Sequence, residues 1–71
     1  MNPMQLLYDI NSMSQAETFD YIRYHMEKAQ VRNIVEFYEN KFQSFIELDQ
    51  ELQVLNESLQ ANMKIMKEYL Q

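Results

Sequence analysis

The chain has 71 residues with no glycine, no cysteine, one proline and a formal net charge of -5. That length allows one small domain. The missing thiols exclude disulfides and cysteine-ligated metals, and the missing glycine disfavours phosphate loops and hairpin turns that need positive φ. With 11 acidic against 6 basic side chains, the chain is a poor partner for nucleic acid, whose backbone is bound by cations that neutralise it.

An all-α chain is therefore expected, and its helix starts can be read in order. Asn2 followed by Pro3 is an N-cap with proline at the first helical position, and Leu6, Leu7 and Ile10 supply a short apolar stripe, giving a helix over about 3–11. These opening residues carry no basic region and the apolar stretch is broken by Asp9, so no signal peptide is expected. No run approaches the roughly 18 apolar residues of a membrane span. The expected location is cytoplasmic.

Ser14 and Glu17 have the spacing of a capping box, which starts a second helix read over about 15–30 with Phe19, Ile22, Met26 and Ala29 on its apolar face. Asn33 and Glu36 repeat the cap-like spacing and suggest a bend around Val31 to Asn33. From there to Leu70 no glycine or proline intervenes. A heptad set with a at Val31 continues through Tyr38, Phe45, Leu52, Leu59 and Met66; the d positions are Ile34, Lys41, Leu48, Leu55, Asn62 and Tyr69. This pattern predicts one long amphipathic helix over about 34–70. Lys41 and Asn62 interrupt it, either as register-fixing polar residues or as the edges of a wide stripe. The alternative is a break near Asn56, where Asn56, Glu57 and Ser58 could open a separate helix and the chain would form a compact three-helix bundle.

At about 1.5 Å per residue the second helix would reach roughly 24 Å and the long one roughly 55 Å, a lopsided helical hairpin. Its far half would present Leu48, Leu52, Leu55, Leu59, Met63, Met66 and Leu70 without intrachain cover. Leaving such side chains in water costs about 1.5–3 kcal/mol each, so this stripe is the expected self-association interface of a dimer or bundle.

Little in the sequence suggests catalysis. His25 has no second imidazole, and the position a helical Glu-x-x-His metal motif needs is Ile22. It reads as a surface histidine. No nucleophile has a base beside it, and neither a cofactor nor a metal is expected. Tyr21, Tyr24 and Phe37 fall off the apolar stripe and are candidate partner-facing aromatics. Glu47, Asp49, Glu51 and Glu57 occupy a stretch from Phe42 to Met63 that holds no Lys or Arg. The expected function is thus non-catalytic protein-protein interaction, of adaptor, regulator or chaperone type, in a homo-oligomer or helical heterocomplex without nucleic acid or membrane. The alternative is an acidic inhibitor docking on a basic surface, whose binding would weaken steeply with salt.

Overall fold

In a computed structural model, which describes residues 2–71, the chain is all-α. It forms α1 (Pro3–Asn11), α2 (Gln15–Tyr24), α3 (Lys28–Phe37), a π-helical turn (Tyr38–Phe42), α4 (Gln43–Ile46) and α5 (Gln50–Leu70). Backbone angles stay right-handed helical through Phe37, Tyr38, Phe42 and Gln43, so α3, the π turn and α4 make one uninterrupted rod. The molecule is therefore four helical rods in a body of 33 × 22 × 21 Å. Its long dimension is little more than the roughly 31 Å spanned by α5 itself.

Each start signal at the N-terminal end is used as the residues suggest. The Asn2 side chain accepts from the Met4 N–H at 2.9 Å. The Ser14 box is closed in both directions, with Glu17 N–H donating to Ser14 Oγ and Ser14 N–H donating to Glu17 Oε1, both at 3.1 Å. Three orphan donors are thereby satisfied without water.

The other corners differ from the sequence expectation. The second helix ends at Tyr24 rather than near Gln30, because His25 leaves helical geometry (φ -123°, ψ -5°) and Glu27 is extended. Gln30 then accepts from the Glu27 N–H at 2.8 Å and opens α3. Phe19, Met26 and Ala29 consequently do not share one helical face: Thr18 and Ile22 are buried on α2, while Phe19 and Ala29 are exposed. The bend expected around Val31 to Asn33 is absent, and Asn33 lies inside α3.

The long helix over 34–70 is likewise divided, at Glu47 to Asp49, so the hairpin with one long C-terminal helix is replaced by four packed rods. The break is not near Asn56 and the three-helix alternative does not apply; Asn56 sits within α5 and accepts a hydrogen bond from the Tyr38 hydroxyl. The true cap is Asp49, whose side chain accepts from the Glu51 N–H at 2.9 Å. Gln53 Nε2 donates across the corner to the Ile46 carbonyl at 3.1 Å.

All three corners are three-residue links, Ser12-Met13-Ser14, His25-Met26-Glu27 and Glu47-Leu48-Asp49. Each ends in an extended N-cap (ψ 168°, 155° and 118°), and no described residue adopts positive φ. A glycine-free chain can turn this way because an extended cap needs only the ordinary β region.

Packing is organised around α5, which touches α1, α2, α3 and α4. Leu52, Leu59, Met63 and Met66 are buried against Leu6, Leu7 and Ile10 of α1, Ile22 of α2, and Val31, Ile34, Val35, Tyr38 and Phe42 of the rod. The π turn explains which residues of the rod face inward. Its wider winding moves the buried series from Val31, Ile34, Val35 and Tyr38 to Phe42 and half-buried Ile46, leaving Lys41 and Phe45 exposed. Tyr38 and Phe42 stack with ring centroids 5.6 Å apart.

Asn62 carries the one buried side-chain amide among the described residues. Its Nδ2 donates to the Ile10 carbonyl at 2.8 Å and the Met13 carbonyl at 3.0 Å. It thereby ties the C-terminal end of α1, where carbonyls lack helical partners, to the middle of α5. Replacing Asn62 with Leu keeps the branched outline but removes both bonds: the Met13 carbonyl loses its donor, while the Ile10 carbonyl keeps the Met13 N–H at 3.1 Å. Stability to urea should fall by about 1–3 kcal/mol, with amide-exchange protection lost first at Leu7 and Ile10; an equal loss along the whole of α5 would contradict the role assigned to this side chain.

Burial pushes the Tyr38 phenol above the ordinary tyrosine value of 10.0, with a hydrogen bond from Gln43 acting in the opposite direction and the nearby Glu39 charge adding to the rise. The folded state therefore holds this proton more tightly than the unfolded chain does. Its contribution is fully present below the unfolded value and is lost as pH climbs through the higher folded value. Urea midpoints followed from neutral pH into the alkaline range should drop more steeply for the native sequence than for Tyr38→Phe; parallel curves would exclude the effect.

Candidate protein-interaction site

The stripe expected to lie open is largely consumed by the fold. Leu52, Leu59, Met63 and Met66 are buried, and Leu55 and Leu70 are half-buried against the same core. Only Leu48 of that set is free of it, at 86% exposure. The cause is the corner at Asp49, which turns α5 back so that α1, α2 and α3 supply the cover assigned to a second chain.

The off-stripe aromatics fare differently, because the chain breaks at His25 and α3 starts at Lys28 in a new direction. Tyr21 and Phe37 then line one groove together with Pro3 and Leu6 of α1, Met26 of the corner and Ile34 of α3. The cavity measures about 190 Å³. Its walls are mostly apolar, and His25, Gln30 and Asn33 contribute the polar groups. Tyr21 and His25 pack as an i, i+4 pair with ring centroids 5.5 Å apart, and the His25 N–H donates to the Tyr21 carbonyl at 2.9 Å. The imidazole thus follows directly from the end of α2.

Tyr24 lies beside this groove in a more open depression shared with Met13, Glu17, Asp20, Tyr21 and His25. It remains 69% exposed. The Arg23 guanidinium sits over both Phe19 and Tyr24, 5.0 and 5.3 Å from the ring centroids, which holds the exposed aromatics of α2 in place through cation-π attraction. Lys28 similarly reaches the Tyr69 ring at 5.7 Å, joining the start of α3 to the end of α5. The exposed Glu39–Lys67 pair at 3.2 Å contributes little, since solvent screens it.

Glu47, Asp49, Glu51 and Glu57 are all exposed, grouped at the α4–α5 corner and the first turns of α5. They do not meet the Tyr21 and Phe37 groove. Among the described residues no group of three or more His, Cys, Asp or Glu is placed to hold a metal ion, and no helix is long and apolar enough to cross a membrane.

Sequence reasoning named Tyr21, Tyr24 and Phe37 but missed Pro3, Leu6, Met26, Gln30 and Asn33 as their companions. The available signal was Met26 between His25 and Glu27, which repeats the pattern of Met13 between two serines. Comparisons with family models, with curated proteins and with solved structures find no match to the chain.

Proposed function

We propose that the protein is a non-catalytic helical interaction module that captures a helical segment of a protein partner. The groove between Tyr21 and Phe37 accepts one large apolar side chain from that segment. The reading rests on the size and lining of this groove. At about 190 Å³ it is below the roughly 300–1,000 Å³ of small-molecule sites, and suits an anchoring side chain better than a substrate or cofactor. Aromatic and thioether walls give such an anchor large contact area at modest entropic cost. The polar groups of His25, Gln30 and Asn33 stand where the flanking polar atoms of a docked helix would need partners, as in helix-in-groove recognition.

Two nested probes test this reading. Indole, standing for a tryptophan side chain, should produce saturable shifts in the NMR signals of Tyr21, Met26, Ile34 and Phe37. A neutral helical peptide bearing one tryptophan should bind at least about tenfold more tightly than its alanine version, with the difference abolished in Tyr21→Ala or Phe37→Ala of unchanged helicity. Shifts scattered over the surface, or equal affinity of the two peptides, would contradict it.

A further inference from the structure

We infer that the α4–α5 corner is a second, independent docking surface, built for a cationic amphipathic helix of another protein. The first observation is Leu48. Each of the three corners has an apolar middle residue immediately before the N-cap, the position from which a hydrophobic staple packs on the fourth helical residue. For Met13 that residue is Thr18 and for Met26 it is Val31, both buried; for Leu48 it is Gln53, which is exposed and donates to Ile46 instead. Met13 and Met26 are half-buried, whereas Leu48 has nothing to staple and stands 86% exposed.

Leu48 is not alone. Val54, on the first turns of α5, is 69% exposed and Phe45, at the end of α4, is 48% exposed. The π turn is the cause for Phe45, because it rotates Phe42 and Ile46 into the core in its place. Three large apolar side chains are therefore exposed within the short span from α4 to the first turns of α5.

The charges around them identify the occupant. Glu47 and Asp49 flank Leu48 directly, and Glu51 and Glu57 stand three residues before and after Val54, on the same side of α5. From Phe42 to Met63 the sequence supplies no compensating cation. Exposed apolar side chains interspersed with carboxylates repel nucleic acid and anionic lipid, and the chain's net charge of -5 works against a second copy. The corner is complementary to a helix whose apolar row is edged by Lys and Arg, where opposite potentials speed encounter and fix register. This surface does not share a residue with the Tyr21 and Phe37 groove, so the two assignments stand or fall separately.

The full chain, labelled with ¹⁵N, is titrated with a synthetic amphipathic helix of leucine and lysine and, in parallel, with a peptide of identical composition in scrambled order. The patterned peptide should bind saturably, shift the amides of Phe45, Leu48, Glu51 and Val54, and bind at least about tenfold more tightly than the scrambled one. Affinity should fall as salt rises from about 0.05 M to about 0.5 M. Leu48→Ser combined with Val54→Ser, both exposed and so compatible with an unchanged helical spectrum, should lower affinity to that of the scrambled peptide. Phe37→Ala should leave it unaltered. Equal binding of the two peptides, undiminished binding to the double variant, or shifts confined to the Tyr21 groove would overturn the inference. So would concentration-dependent shifts at Leu48 and Val54 without peptide, which would assign the corner to a second copy.

Discussion

Leu52, Leu59, Met63 and Met66 lie along one side of a 21-residue helix, and covering them is the constraint around which the other elements are arranged. Each such side chain left in water costs about 1.5–3 kcal/mol. Two of the helices that cover them, α1 at 9 and α2 at 10 residues, are too short to persist alone in water. Dependence is mutual: α5 needs a cover, and the short helices need a surface on which docking outweighs their conformational entropy. Asn62 adds direction to this otherwise non-directional attraction. Its bonds to the Ile10 carbonyl of α1 and the Met13 carbonyl of the following corner fix where along α5 the first helix sits, and all buried side-chain polar atoms among the described residues have partners.

Mutual cover requires sharp corners, and a chain without glycine has few ways to make them. The repeated solution is a three-residue link with an apolar centre and an extended cap residue. Two of these links, at Met13 and Met26, also bury part of their central side chain. The third gives Asp49 the cap but leaves Leu48 outside, so one corner meets the backbone requirement without the packing that accompanies the others. The π turn acts in the same direction by turning Phe45 outward. Two structural devices that serve the core thus leave apolar side chains exposed around this corner, and the local acidity there favours a cationic visitor.

Much of this was legible from residue order. The caps at Asn2 and Ser14 follow from local chemistry, and the heptad from Leu52 to Met66 marks the buried face of α5. Asn62 stood out as a polar residue on that face. What sequence periodicity could not convey was the phase change between Tyr38 and Phe42. A regular heptad extended through it places Lys41, Phe45 and Leu48 inward, which hides the corner at Asp49 and produces a spurious long helix. The cap-forming character of Asn56 was real hydrogen-bonding capacity directed at Tyr38. Tyr21 and Phe37 were visible as aromatics off the main stripe, but their meeting in one groove depends on the turn at His25. Periodicity smooths over that turn.

Small-angle X-ray scattering with absolute intensity calibration tests the central claim, that α5 is covered by the chain's own helices, most directly. One folded copy should scatter as a compact particle with a radius of gyration near the 11.4 Å of its Cα trace, as expected of about 11 Å for a domain of this length. An elongated particle holding a helix of roughly 55 Å, with two or more chains needed to account for its mass, would contradict the account.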